Sequence, residues 1–401
     1  MKIRIIIKFI ISKVNNTNIV FVKMLLQYKI YFIGFLYFFG ILFMTLFPPR
    51  NIELYVSKNR PSVGHHYSML VNVTKLIGLE DLELATVVHL TPKTYKNKSI
   101  IALELHSDKL SRKPGILIIA GIDGMAWAAP NAVIKLADKL LHDTTYQTPF
   151  FNDYDWYLIP MANPDAFEFT KALSGLPEVE ANVWSHNVTV RRRARPSHWH
   201  KNIDVESDQN KCFGTNINRN FAYHWQDDVL REPDQCSQQY PGLRPFSTAE
   251  ADAIRQYIDK LDNSVHFVVH LHASFEAKKE YILYPWRYTT RAPSSHRSLQ
   301  AIGESAARQA RLPDGRLYRV HQASADGRVA GTVSDYIAGV LGIPLVFILK
   351  PYYPPFANLT DDTILEAYVN KSISAIMSLV RGWRSSTKQN TLSFFGRDIE
   401  F

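Results

Sequence analysis

The chain has 401 residues, of which 46% are hydrophobic, so it can bury the core of one domain of about 300 residues with extensions. Its formal net charge is +9, from 46 basic and 37 acidic residues. Seven of the basic residues precede the first acidic one, Glu53, so the rest of the chain contains 39 basic and 37 acidic residues. This near-neutral remainder gives no reason to expect nucleic-acid binding by the folded part.

The N-terminal region has the pattern of an export signal. Residues 30–47 are uncharged and rich in Phe, Leu and Ile, and a positively charged stretch precedes them. A segment of this length can cross a bilayer, and the positive flank predicts that the N-terminus stays inside. We therefore expect residues 1–49 to be a cleaved signal peptide or an uncleaved anchor, followed by a linker at 50–65. The expected location is extracellular, either secreted or anchored to the membrane through residues 30–47.

Apolar runs of strand length alternate along the chain with segments of helical periodicity. Strands are predicted, in chain order, at Thr86–Leu90, Ile100–Leu105, Gly115–Ala120, Trp156–Pro160, Phe267–Leu271 and Leu345–Leu349. Helices are predicted around Val133–Leu140, after the capping sequence Ser247–Glu250, and at Ser295–Arg311, Val333–Leu341 and Leu365–Arg381. This alternation indicates an α/β domain with a largely parallel central sheet, and residues 385–401 are predicted to form a loose polar tail.

The two cysteines, Cys212 and Cys236, would pair in an exported protein, whereas two free thiols would need a reducing compartment. Beyond the predicted leader, five Asn-x-Ser/Thr sequons fit a glycoprotein, although several arise by chance in a chain of this length; they begin at Asn72, Asn97, Asn187, Asn358 and Asn370.

Six motifs occur in a characteristic order and spacing. They read GIDGMAW (121–127), IPMANPD (159–165), CFGTNINRNF (212–221), PFSTAEADAI (245–254), VVHLHAS (268–274) and GTVSDY (331–336). This set resembles the metallocarboxypeptidase A/B family of zinc peptidases over residues 66–384. The resemblance implies a single carboxypeptidase-like α/β domain, with a mixed, largely parallel central sheet flanked by helices. It also implies that Cys212 and Cys236 close a disulfide loop.

The resemblance also shows where the chain departs from the family pattern. The family holds zinc with His-x-x-Glu and a later His, and these positions correspond here to Asp123, Ala126 and His272. The glutamate that acts as general base corresponds to Lys350, and lysine cannot take a proton from water unless its pKa falls far. Because an alanine cannot bind a metal, the sequence predicts that zinc is absent and that the chain has no cofactor.

The resemblance also assigns positions that bind the substrate. Asn218 and Arg219 correspond to the pair that holds the C-terminal carboxylate of the substrate, which suits the bidentate chemistry of arginine. His200 corresponds to the arginine that polarises the scissile carbonyl, His321 to a mobile tyrosine, and Asp335 to an aspartate near the side-chain pocket.

Three interpretations follow from these positions. The first is an inactive carboxypeptidase-like pseudoenzyme whose cleft binds the C-terminus of a peptide or protein. The second is an active metallocarboxypeptidase with an altered metal site formed by Asp123 and His272. The third is a structural or adhesive surface domain that does not use its cleft.

Overall fold

The computed structural model describes residues 83–172, 179–185, 188–194, 198–204, 212–227, 234–275, 279–312, 314–354 and 362–395, all within the compact unit Val63–Phe401. The predicted leader 1–49, the linker 50–65 and the sequons at Asn72, Asn187 and Asn358 lie outside these residues. Within the described part, no helix has both the length and the apolar character that crossing a membrane requires.

Among the described residues, ten strands form two sheets. They are β1 (Ala85–His89), β2 (Ile101–Leu105), β3 (Gly115–Ala120), β4 (Asp155–Ile159), β5 (Val179–Ser185), β6 (Val188–Ala194), β7 (Val265–Leu271), β8 (Tyr281–Tyr284), β9 (Arg319–Gln322) and β10 (Leu345–Lys350). Eight of them form the central sheet in the order β1-β2-β4-β3-β7-β10-β8-β9, and β5 and β6 form a separate antiparallel hairpin. The central run β4-β3-β7-β10 is parallel, as is β8-β9, so the predicted mixed, largely parallel sheet is confirmed.

In the described part of the chain, seven α-helices accompany the sheet. They are α1 (Ala129–His142), α2 (Thr144–Tyr146), α3 (Pro164–Ala172), α4 (Ala249–Leu261), α5 (His296–Gln309), α6 (Val333–Gly339) and α7 (Asp362–Phe395). The start of α4 differs by one residue from the predicted capping sequence, because the hydroxyl of Thr248 accepts the hydrogen bond from Ala251 N. Helix α7 continues to Phe395, so the boundary predicted for a loose tail at residue 385 falls inside a helix.

The central sheet buries both of its faces. Along β3, Ile116 and Ile118 join one core cluster with α1, α5 and α7, whereas Leu117 and Ile119 join a second cluster with α4 and α6. This alternation follows from the two-residue period of a strand, and burial on both faces explains why the parallel strands appear as continuous apolar runs in the sequence.

The parallel run also determines where functional side chains can meet. Strands β3, β7 and β10 are direct neighbours, and Leu271 at the end of β7 is level with both Ala120 and Leu349. The segment that follows β3, the residue that follows β7 and the last residue of β10 therefore lie together at one edge of the sheet. Ligands in open α/β sheets bind at this carboxyl-terminal edge.

Candidate functional site

A cavity of about 470 Å³ opens at the carboxyl-terminal edge, and we call it the cleft. Asp123 comes from the segment after β3, His272 from the segment after β7, and Lys350 ends β10. His200, Asn218 and Arg219 also line it. The sheet thus brings together six of the site residues that the sequence predicts.

A hydrogen-bonded group of one aspartate and two histidines lies in the cleft. Nδ1 of His272 is 3.0 Å from Oδ2 of Asp123, and Nδ1 of His200 is 3.3 Å from Oδ1 of the same carboxylate. Burial by itself would raise the pKa of Asp123, but His200 and then His272 outweigh it and hold that pKa well below its ordinary value. Burial lowers the pKa of His272, so the neutral imidazole donates its Nδ1–H to the ionised Asp123.

Four basic side chains line the rest of the cleft, namely Arg219, Lys279, Arg287 and Lys350. Nη1 of Arg219 donates to the backbone oxygen of Asn218 at 2.7 Å, and burial followed by the field of Arg287 lowers its pKa to about 9. The pKa of Arg287 is also lowered by burial. Lys350 lies 5.8 Å from the centre of the Tyr281 ring, and burial followed by the field of Arg287 lowers its pKa. A half-buried amine and two half-buried guanidinium groups therefore share one space.

Two predicted site residues do not form the cleft wall. Asp335 is fully buried on α6, where its carboxylate accepts hydrogen bonds from the backbone N–H groups of Arg287 and Tyr288 at 2.9–3.0 Å. Its burial raises its pKa to about 6, and its contacts position the segment that carries Arg287. Nε2 of His321 lies 3.1 Å from Oδ1 of Asp326, which does line the cleft. His321 thus reaches the cleft through Asp326.

The other predicted positions have local structural contacts. The side-chain oxygen of Asn218 accepts from Val333 N at 3.1 Å, which ties the loop of the arginine to the start of α6. Ala126 is buried in the turn after β3, with its N–H bonded to the backbone oxygen of Asp123. Cys212 and Cys236 form the predicted disulfide, and with two cysteines in the chain no free thiol remains.

Two residues that line the cleft, Arg287 and His270, were not predicted from the sequence. Arg287 follows β8 in a Tyr-Pro-Trp-Arg-Tyr segment, and a lone charge among aromatic residues was the available signal. His270 lies in β7 and His272 directly follows the strand, and a separation of two residues places both side chains on the same side of the extended chain, with ring centres 3.9 Å apart. His270 also contacts the hydroxyl of Ser334 at 3.3 Å, and its burial lowers its pKa well below the ordinary value.

A second, larger cavity of about 760 Å³ lies at the opposite edge of the sheet, beside the amino-terminal ends of β3, β4 and β7. There Nδ1 of His106 is 3.0 Å from Oδ1 of Asp155, and hydrogen bonds with Asp155 and Glu104 raise the pKa of His106 to about 9. Size alone does not make this cavity the active site, because the groups at the carboxyl-terminal edge are those that match the predicted chemistry.

Comparisons with known proteins agree with this geometry. The sequence model of the M14 peptidase family, described as zinc carboxypeptidase, matches residues 74–356. Zinc carboxypeptidase A 1 of Drosophila melanogaster is 26% identical over 53% of this chain and 44% of that protein, so the match spans less than half of that relative. Carboxypeptidase B of Astacus astacus is 22% identical over 71% of this chain and 82% of its own. Inactive metallocarboxypeptidase ECM14 of Saccharomyces cerevisiae is 26% identical over 63% of this chain and 56% of its own.

Solved structures show the same fold. Carboxypeptidase A from Helicoverpa armigera superposes with a TM-score of 0.67 at 22% identity, covering 81% of this chain and 74% of that one. Bovine thrombin-activatable fibrinolysis inhibitor, solved with tick carboxypeptidase inhibitor, superposes with a TM-score of 0.64 at 17% identity, covering 81% of this chain and 99% of that one.

The prediction that the chain has no cofactor is contradicted by the family match, because the matched family is one of zinc carboxypeptidases. Zinc is therefore the cofactor that membership implies. The side chains at the cleft do not reproduce a three-ligand zinc site. Ala126 has no donor atom, both oxygens of Asp123 are engaged by histidine nitrogens, and the described residues contain no group of three His, Cys, Asp or Glu side chains arranged for a metal ion. We accordingly derive no catalytic step through a metal.

Proposed function

The chain belongs to the zinc carboxypeptidase family, and from that premise we propose that it is a catalytically inactive member whose cleft binds the C-terminal carboxylate of peptides or proteins. The observation that carries the proposal is the pairing of a basic side chain, Lys350, at the general-base position with a retained Asn218–Arg219 pair. The chemistry for holding a carboxylate is present, whereas the chemistry for activating water is replaced.

The acidic groups around the cleft support the loss of a general base. Asp123 is held ionised between His200 and His272, and Asp326 is paired with His321. A general base must be free to receive a proton from the attacking water, and a carboxylate whose pKa is held far below neutrality is a weak base. Lys350 is cationic unless its pKa falls below the working pH, and a cation has no lone pair to accept that proton.

The binding half of the proposal rests on Arg219. Its Nη1 donates to the neighbouring Asn218 carbonyl, and its buried Nε has no hydrogen-bond partner in the part of the chain that the structure describes. Buried donors without partners are rare in folded proteins and are commonly satisfied by a ligand or water. A peptide C-terminus offers two carboxylate oxygens, which fit the fork of a guanidinium group.

We also propose an extracellular location, with the N-terminal apolar segment 30–47 as signal peptide or membrane anchor. The disulfide between Cys212 and Cys236 supports this location because such bonds persist in oxidising compartments. Two of the sequons lie in the described residues, and both Asn97 and Asn370 are exposed, as a glycosylated asparagine would have to be.

The hydrolysis test incubates the purified domain with peptides in the presence of added zinc and follows the loss of the C-terminal residue by mass spectrometry. No release is expected. Asp123→His, Ala126→Glu and Lys350→Glu introduced together form the informative comparison, since ligands and base act as a unit and single changes should fail. Removal of C-terminal residues by the unmodified chain at an ordinary enzymatic rate would instead establish an active peptidase with an altered site.

The binding test compares each peptide with its C-terminal amide by calorimetry. A charge-assisted hydrogen bond is worth about 1.5–3 kcal/mol, so amidation should weaken binding by roughly 10- to 150-fold. Arg219→Met should abolish this difference, whereas the matched change Arg255→Met, at a partly exposed arginine paired with Asp252 and Asp259, should leave it intact. Equal binding of acid and amide would support a structural or adhesive domain with an unused cleft.

A further inference from the structure

The cleft contains more positive charge than its acidic groups neutralise. Arg219, Arg287 and Lys350 all line it, and none of the three forms an ion pair with any residue that the structure describes. Nε of Arg287, like that of Arg219, is a buried atom with no hydrogen-bond partner among the described residues. Charges withdrawn from water without counter-ions are costly, so three partly buried cations in one cavity indicate a ligand that supplies negative charge.

The acidic side chains nearby are already engaged elsewhere. Both oxygens of Asp123 face histidine nitrogens, and Oδ1 of Asp326 lies 3.1 Å from Nε2 of His321. Both oxygens of Asp335 accept hydrogen bonds from backbone N–H groups. These carboxylates attract the cations electrostatically from a distance. Among the described residues, none of them forms a direct hydrogen bond or ion pair with a side-chain nitrogen of Arg219, Arg287 or Lys350.

The three cations lie close enough to act on one another, and they are carried by different segments of the chain. The field of Arg287 is the strongest charge effect on both Arg219 and Lys350, which makes Arg287 the shared neighbour of the other two. Arg219 and Asn218 are where the terminal carboxylate is proposed to bind. Lys350 is at the end of β10, next to the ring of Tyr281.

The backbone holds Arg287 firmly at this place. Its N–H bonds to both oxygens of Asp335 at 2.9 Å, and its Nη2 contacts the backbone oxygen of Asp326 at 3.3 Å. A cation anchored by its own backbone is pre-organised for a ligand, because little side-chain freedom remains to be lost on binding.

We propose that the cleft selects peptides whose last residue is itself acidic, with the terminal carboxylate at Arg219 and the aspartate or glutamate side chain at Lys350 and Arg287. This inference rests on the proposed function, because it takes the position of the terminal carboxylate from it. An acidic C-terminal residue carries two negative charges a few ångströms apart, and this matches a cavity lined by several cations from different segments.

The test uses three peptides that are identical except at the C-terminus, which is Glu, Gln or Glu-amide. Calorimetry should show the Glu peptide binding about 10- to 100-fold more tightly than the Gln peptide, because one charge-assisted contact is lost with the side-chain carboxylate. Lys350→Met and Arg287→Met should each bring the Glu and Gln peptides close together while the preference for free acid over amide remains. Lys135→Met, which removes one charge from α1, should change none of these ratios.

The outcomes separate the two proposals. Equal affinity for the Glu and Gln peptides, with the amide still weaker, would overturn the acidic preference and leave the proposed function standing. Equal affinity for the Glu peptide and its amide would overturn the proposed function. If Arg287→Met fails to fold, the Lys350→Met variant tests the acidic preference by itself, because the side chain of Lys350 faces the cavity from the end of β10.

Discussion

Replacing Arg219 with methionine tests in one experiment whether this arginine serves the ligand or the fold. Its only described side-chain hydrogen bond goes to the carbonyl of the residue before it, and its buried Nε has no partner. Burial and the field of Arg287 lower its pKa from 12.5 to about 9, so the charged form is less stable here than in water. Methionine removes the charge and keeps most of the volume.

The size of the effect follows from these contacts. A pKa shift of this size corresponds to at most roughly 5 kcal/mol, and local relaxation reduces it to a few kcal/mol. Losing one neutral hydrogen bond costs about 1 kcal/mol. Arg219→Met should therefore raise the free energy of unfolding by about 1–3 kcal/mol while it removes the preference for peptides with a free C-terminal carboxylate.

The assay is urea denaturation of the disulfide-bonded domain, followed by fluorescence, beside calorimetry with an acid and amide pair of peptides. Asn220→Ala is the structural control from the same loop. Its amide donates to Pro241 O, Arg244 O and Ser247 Oγ, and its carbonyl accepts from Thr248 N, so its loss should destabilise the domain by about 2–3 kcal/mol. If Arg219→Met destabilises the domain as Asn220→Ala does, Arg219 holds its loop and the carboxylate proposal loses its basis.

Two further predictions concern stability away from the cleft. Hydrogen bonds with Asp155 and then Glu104 raise the pKa of His106 to about 9. This ion pair should add roughly 1–2 kcal/mol to the free energy of unfolding after allowance for solvent screening. The contribution should be fully present below pH 6.5 and should be lost as the pH rises through 9. Urea denaturation across this pH range should show that decline in the native chain but not in His106→Gln; parallel curves would contradict it. Changing both Cys212 and Cys236 to serine should lower the unfolding free energy by about 3 kcal/mol, because the disulfide spans 24 residues, and an unchanged denaturation midpoint would refute the loop-closure reasoning.

The sequence predicts the central strands well because they are buried on both faces. All six predicted strands occur, and the four parallel neighbours β4, β3, β7 and β10 are among them. The two missed strands of the sheet, β8 and β9, have only four residues each, and β9 is a partly exposed edge strand that reads Arg-Val-His-Gln. An edge strand packs on fewer neighbours, so it needs no apolar run and gives no such signal.

Only those residues of the candidate site that follow or end a recognisable strand can be predicted from the sequence. Asp123, His272 and Lys350 follow or end β3, β7 and β10, and the parallel arrangement brings them together. The presence of Arg287 in the cleft cannot be predicted from the positions of the strand ends. It enters the cleft from an irregular segment whose position depends on Asp335, a buried carboxylate on a distant helix.

The location of the differences from the family pattern explains how the fold can persist with altered chemistry. Ile116 to Ala120 and Phe267 to Val269 are fully buried within the strands, and they pack the helices on both faces of the sheet. The chemical groups lie beyond the strand ends, where replacing one polar side chain with another removes no core packing. Lys350 illustrates this separation, because the strand that carries it keeps its register with β7 up to Leu349 while its last side chain faces the cavity. What changes is the electrostatic balance of the cleft, and three cations that form no ion pair with the described residues lower stability unless a ligand offsets them. The same acidic peptide that identifies the ligand should therefore raise the melting temperature of the native domain more than that of Arg219→Met.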